Sequence, residues 1–543
     1  MKRYATAIFS LILTINTTLL QAEPTVVSTE LVGSFTGHDA GRHPDNLAPT
    51  AIEYYGTDLG FSYEHDGQLH FLFGDTWATE AYAPIEASTG SRFDDGFGVI
   101  EMSEWPDPSL ITATNIPLMK MGQNPGTAEM SAMNPGHAMD LGKTPMTGFS
   151  NGEYQFAIFN VTKPQGCAQD SDCGSDLSCD TGLGYYGTPF DTEEQLTLPC
   201  TDEMPACMAS TMKDDSGALI VNSGFCVDTT STIWADTPAG RVQSTALNQR
   251  IGLRSEADPR IYTDFQGWLT NKFVNVTGRP VSGFDPDKPA ATNYKPPTAE
   301  DKNQKLLLWG RPGFIGVGKN GRTMGLYFAY VDMPSGPGFD WKVKYYTGTV
   351  DGIPQFSDKE KDAKALDLDS AQAGIQTDEQ HDVTQQMSVA WIEPLKKWVM
   401  FYGGGITNLP SAPLPLCGVL QLFTGVECGD VVVGNGAVRM RTADNPWGPW
   451  SAPQDLIAGG DPAVAGSGQY GPGGALHHPE CKDPACASHT QTQFYHDNEY
   501  GFFYSANIIE QWTREVDGGV DILWNASTWD PYRVVLLRTR INP

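Results

Sequence analysis

The sequence predicts an all-β fold, a five-bladed β-propeller with long loop insertions and a Cys-rich insertion. Two observations carry this prediction. Among the 543 residues, 58 are Gly, 38 are Pro, 13 are Trp and 20 are Tyr, a composition that favours turns and aromatic strands over helices. A unit of two short strands around a polar turn also recurs at uneven spacing along the chain. A β-sandwich of similar strand content is the alternative.

The first repeated unit is the clearest hairpin. Its two arms flank the turn Asp66-Gly67, and apolar residues alternate on both arms. Four further units begin near Thr147, Leu306, Met387 and Thr492. We expect each of these units to belong to a different blade. A closed propeller needs its ends to meet, so the last strand, at 532–538, is expected to complete a blade begun near the N-terminus.

A Cys-rich stretch at about 163–304 interrupts this repetition. We interpret it as a disulfide-rich insertion, since cysteines of an exported chain pair with one another. Acidic residues at its start are candidate ligands for a structural Ca²⁺, with a solvated acidic loop as the alternative. The connectivity of its cysteines is left open by the sequence. The cysteines and the acidic residues are Cys167, Cys173, Cys179, Cys200, Cys207, Cys226, Asp170, Asp172 and Asp176.

Four further cysteines stand in two close pairs. We expect the bonds Cys417–Cys428 and Cys481–Cys486, because closing such short loops costs little chain entropy. A zinc site is the alternative for the second pair, because histidines stand beside it. Those histidines are His477, His478 and His489.

Residues 1–22 have the pattern of a secretory signal. A positive start precedes an apolar stretch, and small residues before Glu23 predict cleavage after about Ala22. A membrane anchor is the alternative, but the stretch is short for a span. We therefore expect a secreted or periplasmic protein whose residues 23–543 form one propeller domain.

The charge balance narrows the choice of partners. Asp and Glu number 65 against 35 Lys and Arg, a formal net charge of −30. Such a surface repels nucleic acid and anionic lipid, so neither is expected as a partner. The oligomeric state is not predicted.

Two aspartates stand at one edge of the first hairpin. Asp58 precedes its first strand and Asp75 follows its second, and these positions share an edge of an antiparallel pair. Hydrolysis of a glycosidic bond uses one carboxylic acid as proton donor and one carboxylate as base or nucleophile. We therefore predict Asp58 and Asp75 as catalytic residues. A simple strand cap is the alternative for either aspartate.

Further residues are predicted to bind substrate in the same cleft. Aromatic side chains suit the apolar face of a sugar ring, and an arginine suits hydroxyl or carboxylate groups. These candidates are Trp77, Asp95, Trp309, Arg311 and Glu510. Should the aspartate pair prove inactive, Glu129, Asp95 and Glu510 are the next carboxylates to consider. The chemistry requires no cofactor.

Five short motifs resemble a bacterial family of five-bladed β-propellers, formerly of unknown function, that includes endo-D-arabinanases. They are Gly-Thr-Asp-Leu-Gly at 56–60, Phe-Gly-Asp-Thr at 73–76, Trp-Gly-Arg-Pro at 309–312, Asn-Pro-Trp-Gly-Pro-Trp-Ser at 445–451 and Tyr-Arg-Val-Val-Leu at 532–536. The resemblance implies a glycoside hydrolase that cleaves a furanose-containing, D-arabinan-like polysaccharide. It also implies that Asp58 and Asp75 match the acidic pair of the family. A non-catalytic carbohydrate-binding propeller, or one for interactions at a cell surface, is the alternative.

Overall fold

In the computed structural model, most of the described residues lie in β-strands. The described residues are 23–36, 57–77, 92–117, 119–121, 143–161, 166–167, 178–180, 224–227, 233–237, 240–244, 273, 275–288, 294, 303–311, 325–335, 342–358, 362–368, 383, 385–408, 432–458, 475–476, 503–528 and 533–543. Short 3₁₀ turns at Met102–Glu104, Pro108–Leu110, Glu393–Leu395 and Glu510–Trp512 interrupt the strands. No helix in these ranges is long and apolar enough to cross a membrane.

The strands form five larger antiparallel sheets, which we number I to V. Sheet I contains β2 (Leu59–His65), β3 (Gln68–Trp77), β4 (Arg92–Glu101) and β5 (Lys120–Met121). Sheet II contains β6 (Lys143–Ser150), β7 (Gln155–Val161), β11 (Ile233–Thr237) and β12 (Gly240–Ser244). Sheet III contains β13 (Asn275–Val281), β14 (Lys305–Arg311), β15 (Tyr327–Asp332), β16 (Lys344–Val350) and β17 (Ile353–Ser357).

Sheets IV and V complete the set. Sheet IV contains β18 (Met387–Ile392), β19 (Lys397–Asn408), β20 (Val432–Ala443) and β21 (Gln454–Ile457). Sheet V contains β22 (Phe503–Ile508), β24 (Gly519–Thr528), β25 (Arg533–Asn542) and β1 (Thr25–Ser34), with β23 (Arg514–Val516) beside β24. A small separate sheet contains β8 (Gly166–Cys167), β10 (Gly224–Val227) and β9 (Ser178–Asp180).

The five larger sheets have a propeller-like arrangement. Their first strands contact one another in a ring that runs β2, β6, β13, β18, β22 and back to β2. We call these five the inner strands. Apolar residues fill the seams between adjacent sheets, and the seam between sheets III and IV is especially rich in aromatic side chains. Trp309, Trp398 and Trp450 are fully buried there.

Contacts between neighbouring sheets define two rims. His65 Nδ1 lies 2.8 Å from Ser150 Oγ, which joins the ends of β2 and β6. Asn151, just after β6, donates to the carbonyl of Pro334, and the register of sheet III places that carbonyl beside the end of β13. The inner strands of sheets I, II and III therefore end at one rim, the end rim, and begin at the opposite one, the start rim.

The predicted hairpins are confirmed where the structure describes them. The units near 58, 147, 306 and 387 lie in four different sheets, whereas 492 is outside the described residues. The expected closure is also confirmed, because β25 pairs with β1 along most of its length.

The structure differs from the sequence-based interpretation in the range 163–304. Strands β11 and β12 extend sheet II, and β13 is the inner strand of sheet III, so these parts of the range belong to the larger sheets. The unit near Leu306 consequently supplies the second and third strands of its sheet. The small sheet β8–β10–β9 is the described part of the range that stands apart.

Candidate active site at the start rim

Asp58 stands at the start rim, immediately before β2. Its side chain is half-buried, and Oδ2 accepts a hydrogen bond of 2.8 Å from the Tyr504 hydroxyl of sheet V. The backbone N–H of Gly74 donates to the Asp58 carbonyl at 3.1 Å. A Cβ atom at Gly74 would lie only 2.3 Å from Asp58 Oδ1, so the carboxyl group packs directly on this glycine.

The backbone brings two more aspartates to the same rim. Asp75 follows Gly74 in β3, and β3 pairs with β4 so that Phe73 faces Gly96 and Thr76 faces Asp94. Asp95 therefore lies opposite the Gly74–Asp75 segment. The structure thus places the backbones of the predicted pair at one edge, as the hairpin geometry suggested. The side chains of Asp75, Asp95 and Trp77 lie outside the part that the structure describes.

The backbone beside Asp58 adopts an unusual conformation. Leu59 has φ 66° and Ser505, which follows Tyr504, has φ 52°, although neither is a glycine and both are buried. Among the described residues, the other non-glycine positions with positive φ are in hairpin turns: Asp66, Asp351 and Lys396. Left-handed backbone in a bulky residue costs energy and persists only where its surroundings enforce it.

Buried polar side chains of sheet V hold this segment. The Leu59 N–H donates to Ser527 Oγ at 2.6 Å, and the Leu59 carbonyl accepts from Asn507 Nδ2 at 3.0 Å and Asn525 Nδ2 at 3.1 Å. Asn507 Nδ2 also donates to the Ser505 carbonyl at 2.8 Å. Buried polar groups are costly unless they are hydrogen-bonded, so this network fixes the conformation at the seam of sheets I and V.

Arg311 lies at the same rim in sheet III. It is the last residue of β14 and faces Asn275, the first residue of β13. Its side chain is fully buried, and this burial lowers the pKa of the guanidinium to about 9. A desolvated cation of this kind interacts strongly with an anionic or polar neighbour.

Two predicted binding residues lie elsewhere. Trp309 is fully buried, packs at a tilt against neighbouring rings and donates its indole N–H to the Pro446 carbonyl at 2.7 Å, so the structure gives it a core role rather than a surface for a sugar. Glu510 follows β22 and interacts electrostatically with Glu64 near the end of β2. It therefore belongs to the end rim, away from Asp58.

Glu510 shares the end rim with a partly buried arginine. Burial raises the pKa of Glu510; Arg279 opposes this shift and Glu64 adds to it. Burial likewise lowers the pKa of Arg279, and Glu510 opposes that shift. Arg279 donates to the Val389 carbonyl at 2.6 Å and also contacts Ser388 and Ile508, which links sheets III, IV and V.

Several predictions fall on residues that the structure does not describe. These are the signal segment 1–22, the calcium candidates, both local cysteine pairs, the alternative zinc ligands and Glu129. Within the described ranges, no three His, Cys, Asp or Glu side chains come together as a metal site.

The sequence analysis did not single out Tyr504 or Asn507. The only signal available for them was the aromatic run around 500–505, which predicts a strand but not a partner for Asp58. Their role depends on the contact between sheets I and V, whose partners are 446 residues apart in the Tyr504–Asp58 bond.

Comparisons with known proteins found no matching family model and no matching curated protein. Among solved structures, an alpha-L-arabinofuranosidase from Podospora anserina in complex with cellotriose has a TM-score of 0.34 at 10% identity, over 96% of this chain and 98% of that chain. A sialidase from Trypanosoma rangeli in complex with sialic acid has a TM-score of 0.29 at 9% identity, over 96% and 59% of the respective chains.

Proposed function

We propose that this protein is a secreted glycoside hydrolase that cleaves a furanose-containing, D-arabinan-like polysaccharide, and that sheets I to V are the blades of a five-bladed propeller. The observation that carries the proposal is the Asp58 carboxylate. It is half-buried, packed on Gly74 and bound by Tyr504, at the edge where the backbone also brings Asp75 and Asp95. The motif resemblance suggests the polymer.

The proposed chemistry uses Asp58 and Asp75 as the two carboxyl groups. One donates its proton to the glycosidic oxygen as the bond breaks, and the other activates water or attacks the anomeric carbon. A separation of about 5 Å between the carboxyl groups fits a retaining reaction, and about 6.5–9.5 Å fits an inverting one.

The test is hydrolysis of a panel of arabinans and other furanose polymers by the wild type, Asp58→Asn and Asp75→Asn. Each variant should lose at least about a hundredfold to a thousandfold in kcat, or roughly 3–4 kcal/mol of transition-state stabilisation. Asp66→Asn is the matched control, because Asp66 lies in the turn of the same hairpin at the opposite rim and asparagine tolerates its φ of 51°. Wild-type rates in both active-site variants would remove the pair from the mechanism.

The alternative is a propeller that binds glycan without cutting it. It predicts saturable binding of the same polymers and no release of reducing ends by the wild type. In that case Asp58→Asn weakens binding, and there is no hydrolysis to lose. Measuring binding and reducing-end release on one polymer preparation separates the two functions.

A further inference from the structure

We propose that Tyr504 is a positioning residue for Asp58, and that the amides of Asn507 and Asn525 hold the backbone from which Asp58 projects. This inference rests on the proposed function and deepens it, because it assigns part of the active site to sheet V, the sheet that contains both β1 and the C-terminal strand β25.

Tyr504 contacts the Asp58 carboxyl group directly. The Tyr504 hydroxyl donates to Asp58 Oδ2 at 2.8 Å, while Oδ1 packs on Gly74 of β3. Tyr504 is 2% exposed, and a buried tyrosine ring has few rotamers available. The carboxyl group is therefore held from two sides, by a hydroxyl of one sheet and the backbone of another.

The backbone is strained at two residues, one on each side of the Asp58–Tyr504 contact. Leu59 follows Asp58 and Ser505 follows Tyr504, and both have left-handed φ values. The Asn507 amide bonds to both residues, at 3.0 Å from the Leu59 carbonyl and 2.8 Å from the Ser505 carbonyl. One side chain thus ties together the two strained positions that flank the Asp58–Tyr504 contact.

Residue 60, next to Leu59, has no room for a side chain larger than that of glycine. A Cβ atom at Gly60 would lie 2.6 Å from Asn525 Nδ2, so the network also fixes the residue type after Leu59. Gly60 itself has φ 79°. Bulges in both β2 and β22 occur at this point, and bulges commonly re-aim side chains at functional sites.

A comparison seam shows that packing alone does not require this arrangement. Sheets IV and V meet through an apolar cluster that includes Phe401 and Trp524, whose rings lie 5.4 Å apart. The seam between sheets I and V instead contains buried amide side chains and left-handed backbone beside one carboxylate, that of Asp58. Departures of this kind from simple packing are typical of functional sites.

The first measurement compares Tyr504→Phe with Tyr63→Phe on a polymer that the wild type cleaves. Tyr504→Phe should lower kcat by about tenfold to a hundredfold with KM within about twofold, because a misplaced catalytic group slows the chemical step. Tyr63 is the matched control: it is buried, its hydroxyl donates to Gln155 at 2.7 Å, and it lies on β2 toward the end rim. Tyr63→Phe should keep the wild-type kcat.

The second measurement does not depend on activity. Thermal unfolding of Tyr504→Phe, Asp58→Ala and the double variant should show coupling, with the Tyr504→Phe loss in Tm smaller when Asp58 is already removed. Additive losses would overturn the proposal, because they would show that the hydrogen bond does not form. Coupled losses with an unchanged kcat would also overturn it, because the contact would then serve stability alone.

The outcomes separate this inference from the proposed function. An active wild type with an unaffected Tyr504→Phe variant contradicts only the role of Tyr504. A wild type that cleaves no polymer of the panel overturns the proposed function and this inference together.

Discussion

The two rims of the inner strands hold their partly buried charged side chains in different ways. At the end rim, Arg279 and Glu510 each favour the charged form of the other, and the arginine donates hydrogen bonds to strands of two neighbouring sheets. At the start rim, Asp58 is partly exposed and its described hydrogen bond comes from the neutral hydroxyl of Tyr504. The arginine at the end rim thus joins neighbouring sheets, whereas the carboxylate at the start rim is held by a hydroxyl; under the proposed function, this carboxylate is the one that meets the ligand.

The connections between strands also differ in length between the two rims. In sheets I and IV, the end-rim turns between the first two strands are short, at 66–67 and 393–396. The connections between the second and third strands begin and end at the start rim, and they span 78–91 and 409–431. Long connections on a rigid scaffold are common places for ligand-binding residues. Under the proposed function, these connections are the expected places for residues that select the substrate.

The largest effect on stability is expected at the end rim. Arg279→Met removes the hydrogen bonds from a partly buried cation to sheets IV and V, which should cost about 1.5–3 kcal/mol of unfolding free energy. Below the new Tm, kcat should match the wild type. Chemical denaturation and polymer hydrolysis check the two parts.

Arg439→Met is the control for this change. Arg439 pairs with Asp455 on the outer strands of sheet IV at 2.9 Å, and a surface pair of this kind contributes about 0–1 kcal/mol. Equal losses of stability from the two substitutions would show that bonding across sheets contributes no more than a pair within one sheet. A fall in kcat in Arg279→Met would contradict the division of roles between the rims.

A smaller loss of stability, with a loss of activity, is expected at the start rim. Gly74→Ala places a Cβ atom 2.3 Å from Asp58 Oδ1 and 2.8 Å from the Leu59 side chain, so the carboxyl group must shift. Overpacking of this kind costs about 1–3 kcal/mol, and the displaced carboxylate should lower kcat. In Gly67→Ala, a Cβ meets nothing within 4 Å, so only the backbone penalty of φ +75° applies and kcat should persist. Equal kcat values in the two variants would argue against a positioned Asp58.

The smallest effect is a pH dependence at the end rim. The pKa of Glu510 is raised above its ordinary value of 4.5, mainly by burial. The folded protein therefore keeps the Glu510 proton to a higher pH than the unfolded chain does. The contribution of protonated Glu510 to the free energy of unfolding is fully present below about pH 4.5 and is lost as the pH rises through the raised pKa. Glu510→Gln does not titrate, so its stability relative to the wild type should increase over that interval and then level off. A difference that stays constant from pH 4 to pH 8 would contradict the raised pKa.

Much of the fold could be predicted because hairpins leave local signals. The Asp66-Gly67 turn and the alternation on its arms identify β2 and β3 correctly. Strand β13 was missed because it contains Gly278 and Pro280 and is mostly buried, so it neither alternates nor looks like a strand in sequence. Missing that strand displaced the whole of sheet III by one position.

Site residues could be located from the sequence where their position depends on a single hairpin, but not where it depends on the order of strands in a sheet. The edge shared by Asp58 and Asp75 depends only on one hairpin, and the backbone confirms it. Glu510 follows a strand interpreted as the second of its unit, but β22 is an inner strand, and this exchange moves Glu510 to the end rim. Tyr504 depends on contact between the first and last sheets, which no local pattern reveals.

The pairing of β1 with β25 has a consequence for how the protein matures. Residues that hold Asp58, from Tyr504 to Ser527, are near the C-terminal end of the chain, as is β25, which joins β1 to sheet V. A chain that emerges from the N-terminus onward contains Asp58 early but lacks these partners until residues 504–527 have been made. Contacts of such high sequence separation form late, because they first require closure of a very long loop. Sheet V thus both joins β1 to β25 and provides the hydrogen-bond partners around Asp58. We expect chains that are shortened before this sheet, or that have not yet folded it, to lack a positioned Asp58 carboxylate.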